Sequence, residues 1–292
     1  MLKKIDLFIA LVQPDGKIYL RKHPANALEM LPIINHFTGD KLFDILVNET
    51  GYVKFEDNKF ALKVITERSL NSVAMKMLGK IAEAVLVRRC KDDEEINLNW
   101  LSFAARKKIK YKTSERCIAI GTGLLSTKTE FPFRYNPTDT QRDVIWLDRE
   151  SRQCVLMQGN NSVSGLEAGL QVKVSKNGVS YFLDSLVNIK YEVPVVYFDI
   201  CDDYHVVAKK LYEKLPYGKI VIGEDFIQAR AVDEEAFKEV LFYVEMVEAL
   251  IAGRLSPDAL INHKDVNDNP AIKSAITSAA LSEIQLPNVT LP

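Results

Sequence analysis

Lys173 stands two residues after Gln171 in the run GLQVKVS, and Asp143 opens the run DVIWLD. Side chains two apart on a strand leave the same face, so Gln171 and Lys173 project together. Asp143, on a neighbouring strand, reaches the same spot. A carboxylate, a carbonyl oxygen and an ammonium in one place suit the hydrolysis of a phosphodiester. That reaction needs a divalent ion to neutralise the scissile phosphate and activate a water. Carboxylate and carbonyl oxygens are the hard ligands that Mg²⁺ takes. A second group of residues has the right charge for such a substrate. The stretch AARKKIKYKTSER carries Arg106, Lys107, Lys108, Lys110, Lys112 and Arg116, with Tyr111 among them and only Glu115 opposing. Clustered cations with an aromatic match a phosphate-contacting surface. VLVRRCK, with Arg88, Arg89 and Lys91, extends the patch. The plainer reading of the stretch is a solvated helix or loop face.

The elements that must position these residues follow from composition and pattern. The chain has 292 residues, 47 % hydrophobic and 26 % charged, which excludes a disordered chain, a collagen-like fibre and a disulfide miniprotein. Its net charge of -1 provides no global field for a polyanion, so any such site is a local patch. Residues 1–66 read as a small α/β lead-in. IDLFIALV pairs with KIYLRK across Pro14-Asp15-Gly16, helices lie near LEMLPIINHF and DKLFDILVNE, and KFALKVI is strand-like. Ser69 caps a helix running to Cys90, with Val73, Met77, Ile81 and Val85 at helical spacing. Polar KDDEEINLN and the basic stretch come next. CIAIGTGLL, DVIWLD, QCVLMQG and LQVKVS then read as a strand series, VSYFLDSLVNIKY as helix, and VPVVYFDI as a buried strand of the parallel kind. Asp202 or Asp203 starts the helix HVVAKKLYEKL. The last third is helical through DEEAFKEVLFYVEMVEALIAG, SPDALIN and NPAIKSAITSAALSEI, with QLPNVTLP as a tail. The expected fold is α/β, a mixed sheet with helices on both faces, divided as lead-in 1–66, core 67–222 and helical region 223–292.

Helix, three strands, helix, strand resembles the core of the PD-(D/E)xK nuclease superfamily, the restriction-endonuclease-like fold. That family places an acid on the first helix, Asp near the start of the second strand, and (D/E)xK on the third. The branch that includes Mrr-type restriction enzymes and phage-defence nucleases has QxK instead, as Gln171-Val172-Lys173 does here. The resemblance covers roughly residues 69–215. It implies Asp143 as main metal ligand, Gln171 as a weaker one, Lys173 as the group that positions the water or stabilises developing charge, and Glu83 as the completing acid. It further implies Mg²⁺ or Mn²⁺ as cofactor and double-stranded DNA as substrate. Three alternatives stay open: Asp148 in place of Asp143, Glu94 or Glu95 in place of Glu83, and Glu167 as an added carboxylate. The competing reading makes Gln171 and Lys173 the solvated face of an amphipathic strand and Asp143 a turn residue.

Other candidates carry less. Gly121-Thr122-Gly123 lacks the GxxxxGK[ST] spacing of a phosphate loop and reads as a tight turn. The serines of GNNSVSG decorate a hairpin tip. His23, His36, His205 and His263 are scattered. Cys90, Cys117, Cys154 and Cys201 form no CxxC pair, which points to reduced thiols in the cytoplasm. No apolar run reaches the roughly 18 residues of a membrane span. Two functions from different classes remain. One is a metal-dependent DNA endonuclease, effector of a bacterial defence system. The other is a non-catalytic assembly subunit docking a protein partner or a second copy. Phe237, Leu241, Val244, Val247, Glu248 and Ile251 form the helical stripe such docking would use, and RNA as substrate is the third option.

Overall fold

Ser69 is extended and its hydroxyl accepts from the Ser72 N–H at 3.1 Å, which starts the longest helix, α1 (Leu70–Asp92). A computed structural model describes residues 5–12, 18–25, 39–56, 59–63, 69–158, 165–216 and 219–261. Every residue from Ile81 to Val87 of α1 is buried. A helix apolar all round must be covered all round, and α1 is: one side lies on the central sheet, the other against α4 (Glu234–Ile251). Asp93 ends α1 and at once caps α2 (Glu94–Ala104), accepting from the Glu95 and Ile96 N–H groups at 2.9 and 3.1 Å. The polar stretch KDDEEINLN, to which the sequence reading assigned no element, is therefore mostly helix.

The central sheet has five strands in the order β5 (Cys117–Gly121), β6 (Val144–Asp148), β7 (Gly169–Ser175), β8 (Val195–Asp199), β9 (Phe226–Gln228). Neighbours are antiparallel across β5–β6–β7 and parallel across β7–β8–β9. Helices flank both faces, as expected of the mixed sheet. β9 comes from beyond residue 222, so the helical C-terminal region also supplies an edge strand. Two short hairpins precede the sheet: β1 (Ile5–Val12) with β2 (Ile18–Ala25), and β3 (Val53–Glu56) with β4 (Lys59–Leu62). DKLFDILVNE is helical, closing on a π-type turn at Ile45–Glu49. QCVLMQG forms only isolated bridges, Leu147 with Cys154 and Leu156 with Glu167, instead of a strand. VSYFLDSLVNIKY splits at Phe182 into Gly178–Tyr181 and Leu183–Val187. SPDALIN is a single 3₁₀ turn, Pro257–Leu260. LEMLPIINHF, most of GNNSVSG and the terminal NPAIKSAITSAALSEI and QLPNVTLP lie outside the described residues.

The period of two decides what each sheet face carries. Ala119, Val144, Trp146, Leu170, Val172, Val174, Val196 and Phe198 point to one face, into the core shared with α1 and α4. On the opposite face, Ile120, Ile145 and Leu147 gather over β5 and β6 with Phe131. Val195, Tyr197 and Phe226 gather over β8 and β9 beneath Phe182, Leu183 and α3 (Tyr204–Lys214). Between these two clusters β7 shows Gly169, Gln171, Lys173 and Ser175, with no apolar side chain. A polar seam thus runs along β7 between two apolar walls.

Buried Asn97 ties the frame together. Its amide donates to the Ser114 and Cys117 carbonyls at 3.2 and 3.3 Å, and its carbonyl accepts from Trp146 Nε1 at 2.8 Å. Asn97→Ala strands a buried indole N–H and two carbonyls. We expect a loss of about 2–3 kcal/mol in urea unfolding; an unchanged midpoint would show that water replaces the bonds.

Candidate functional site

β6 and β7 pair over only two positions, Val144 with Leu170 and Ile145 with Gly169. Past that point the backbone ladder is continued by a side chain. The Asp143 N–H still donates to the Leu170 carbonyl at 2.8 Å, but the Val172 N–H donates at 2.8 Å to Asp143 Oδ2, not to a backbone carbonyl. The Gln171 carboxamide donates to the same oxygen through Nε2. Its other end, Oε1, is buried without a partner. Asp143 itself is held by Thr122 in the turn after β5, whose N–H donates to the Asp143 carbonyl at 2.9 Å and whose hydroxyl donates to the Arg142 carbonyl at 2.7 Å.

Close approach here needs a glycine. A Cβ at Gly169 would fall 2.9 Å from the Val144 carbonyl oxygen, a backbone atom that cannot turn away. Gly169→Ala therefore forces β6 and β7 apart where they aim Asp143 at Gln171. We expect a loss of about 1–3 kcal/mol, checked by thermal melts; a wild-type melting temperature would refute it.

Glu83 comes from α1 and is 4 % exposed. Its carboxyl is pushed up to about 8, first by burial and then by the Asp143 charge, against the pull of Lys80. Lys80 Nζ lies 2.7 Å from Glu83 Oε2. Asp143 is also raised, by burial, while Lys173, Lys80, the Val172 N–H and a hydrogen bond from Glu83 act to lower it. Burial thus raises both carboxyls, Glu83 to about 8, and the Lys80 ammonium beside them opposes the rise. Lys173 is lowered by burial, against the opposing pull of Asp143 and Glu83. Its Nζ sits 5.1 Å from the centre of the Tyr191 ring. Tyr52 belongs to the same neighbourhood: burial and then the Glu83 carboxylate raise its phenol to about 12.

Helix α1, the start of β6 and the middle of β7 thus bring Glu83, Asp143, Gln171 and Lys173 together, and add Lys80, Thr122 and Tyr191, which sequence reasoning did not select. Lys80 had a usable signal, since i,i+3 spacing from Glu83 puts the two on one helix face. The alternatives lie elsewhere. Asp148 ends β6 opposite Cys117 and caps the following turn through the Glu150 and Ser151 N–H groups. Glu167 is held by Arg134 at 3.0 Å and by Arg142. Glu94 faces Arg149 and Glu95 is exposed at the start of α2.

The basic stretch is not part of this group. It precedes the Cys117 end of β5, whereas Asp143 adjoins the Gly121 end. Arg106 turns back to pair with Asp225; Lys107, Lys108, Lys110 and Lys112 are exposed. The stripe on α4 is largely spoken for: Phe237, Val244 and Val247 are buried, Ile251 packs on the core, Glu248 holds Lys176 at 2.6 Å, and Leu241 is 37 % exposed. Among the described residues no three His, Cys, Asp or Glu side chains assemble as a metal-binding group, and no helix is long and apolar enough to cross a membrane. The oxygen donors actually gathered are two carboxyls and one carboxamide. The carboxamide faces Asp143 through Nε2, so its partnerless Oε1 joins the two carboxyls around a hard divalent ion once the amide group turns end for end, which would also give that buried acceptor a partner. No protein-family model matches the chain, and neither a curated protein nor a solved structure does.

Proposed function

We propose that the chain is a metal-dependent endonuclease of restriction-endonuclease-like fold that hydrolyses phosphodiester bonds in duplex DNA, as the effector of a bacterial defence system. One observation carries the reading: a lysine half-buried beside two raised carboxyls and a buried carboxamide oxygen that has no donor. An amphipathic strand with a merely solvated face does not bury its polar side chains, and Gln171 is 3 % exposed. The strand order supports the fold assignment, since three antiparallel strands followed by a crossover to a parallel fourth is the core arrangement of that superfamily.

Asp143, Glu83 and the Gln171 Oε1 atom would hold Mg²⁺ or Mn²⁺. When bound, the ion neutralises the scissile phosphate and acidifies a water. Asp143 is pre-oriented for this by the Val172 N–H and the Thr122 clamp, so little rearrangement is needed at that ligand. Glu83 must give up its proton. Lys173 projects from the seam beside Gln171, where its ammonium is aimed at charge developing on the phosphate. The apolar walls over β5–β6 and β8–β9 bound the seam and limit water around it. The exposed lysines 107, 108, 110 and 112 are a separate, salt-sensitive contact for the phosphate backbone.

The test is cleavage of plasmid and linear duplex DNA with Mg²⁺ or Mn²⁺, with RNA and single-stranded DNA as parallel substrates. Metal-dependent nicking by wild type that Lys173→Ala and Asp143→Asn abolish supports the reading. An inert wild type, or variants that cut equally well, overturns it and leaves protein docking as the function to pursue by co-purification.

A further inference from the structure

Lys80 is the charged group at this site that has no part in the roles above. Its side chain is 27 % exposed while that of Glu83, which it contacts at 2.7 Å, is 5 % exposed. Its charge also reaches Asp143 and Lys173. Facing it is the turn after β5. A Cβ on Gly123 would fall 2.8 Å from Lys80 Nζ and 3.3 Å from Pro137 Cα. The ammonium therefore occupies a defined space between α1, the carboxyl pair and that turn, and only a residue without a side chain at 123 leaves the space open. With both carboxylates ionised, Lys80 and Lys173 leave the group formally neutral. A divalent ion gains little by entering a neutral group. Lys173 lies over the Tyr191 ring, whereas Lys80 sits on the very Glu83 oxygen that the ion needs.

We propose that Lys80 is an exchangeable partner: its ammonium holds the Glu83 carboxyl in the metal-free protein, a divalent ion takes that group over as its proton leaves to solvent, and the freed ammonium binds a phosphate of the nucleic acid. The inference rests on the metal site proposed above. It makes metal and polyanion mutually supportive, each binding better once the other is in place, because each removes a partner that opposes the other. Lys80 is then a positioning residue for Glu83 before substrate arrives and a substrate contact afterwards.

Isothermal titration of the full chain with Mn²⁺ at pH 9, without nucleic acid, tests this in wild type, Asp143→Asn and Lys80→Met, each shown by circular dichroism to be folded. Wild type is expected to bind Mn²⁺ and Asp143→Asn to lose it. Lys80→Met should bind Mn²⁺ several-fold more tightly, since no ammonium has to be displaced. Its affinity for duplex DNA with Ca²⁺ in place of Mn²⁺ should fall several-fold, and Lys80→Arg should restore both values. A Lys80 that merely braces α1 would not move metal and DNA affinity in opposite directions. If Asp143→Asn binds Mn²⁺ like wild type, the metal site is misplaced and this inference falls with it. If Asp143→Asn loses the ion but Lys80→Met binds it no more tightly, the site stands and the exchange is overturned. Should Lys80→Met not fold, Gly123→Ala, whose methyl crowds the ammonium off Glu83 while leaving the lysine available to DNA, tests the metal arm alone: Mn²⁺ should bind several-fold more tightly with DNA affinity near wild type, and an unchanged Mn²⁺ affinity overturns the exchange.

Discussion

On the nuclease reading proposed above, Lys173→Ala is expected to lower metal-dependent cleavage of duplex DNA by about 10²–10³-fold, the usual cost of removing one preorganised charge from a developing oxyanion. Divalent-ion affinity should survive, because the oxygens that would hold the ion belong to Glu83, Asp143 and Gln171. The fold should survive too. Lys173 leaves the sheet on the polar seam, with its Nζ over the Tyr191 ring, so its removal opens no cavity in the apolar clusters. Asp143→Asn is the companion variant and acts differently. It keeps the shape and an acceptor for the Val172 N–H but removes the charge, so the ion is lost along with the rate. Alanine at 143 is the poorer choice, since it strips a buried N–H of its acceptor and costs about 1–3 kcal/mol of stability by itself. Rates of nicking and Mn²⁺ affinities measured on the same preparations separate the two roles. A Lys173→Ala protein that cuts at the wild-type rate removes the nuclease reading.

Glu83→Gln should make the metal-free protein more stable at pH 8 while abolishing cleavage. Burial, and secondarily Asp143, hold the Glu83 carboxyl at about 8 in the fold against 4.5 for the free group. Between those values the folded chain binds the extra proton, so the stability that Glu83 contributes is present in full below pH 4.5. It is lost as pH rises through about 8. Glutamine never ionises, and the difference in melting temperature between wild type and Glu83→Gln should therefore open as pH rises across that window. Asp199 is also raised, and Asp148 and Glu167 are lowered, but these three remain in both proteins and largely cancel from the difference; Asp143, raised by burial and coupled to Glu83, is the group whose contribution changes with the substitution. The expected gap at pH 8 is about 1–3 kcal/mol, reduced by the Lys80 pair, which glutamine also forfeits. Mg²⁺ should stabilise wild type at pH 8 more than at pH 6, because the ion competes with the proton on Glu83, and should leave Glu83→Gln unmoved. A gap that is constant with pH would mean that Glu83 is ionised throughout.

The separate elements were mostly legible, for local reasons. Ser69 as cap and the 3.6-residue spacing of Val73, Met77, Ile81 and Val85 specify α1. The alternation in GLQVKVS specifies β7 and puts Gln171 and Lys173 on one face. Asp143 is found at the head of its strand as the pattern requires. Where the reading missed, the deciding partner was distant. QCVLMQG has strand composition, yet its residues meet β6 and the approach to β7 only at isolated bridges. The triplet FIQ is too short to signal, and becomes β9 because β8 offers it a parallel edge. KDDEEINLN received no element because the capping role of Asp93 is invisible until α1 ends there.

By itself the sequence determined the helix that carries Glu83, the strands that carry Asp143 and QxK, and the shared direction of Gln171 and Lys173. Those follow from the spacing of side chains along one segment. Only the tertiary structure decided that a helix residue and the ends of two strands meet, that Asp143 stands in for a backbone carbonyl on β7, and that Lys80 joins them while Glu167, Asp148 and the basic stretch do not. It also decided the electrostatics. A carboxyl's proton affinity depends on how much water remains around it and which charges face it, and both are set by chain segments far apart in sequence.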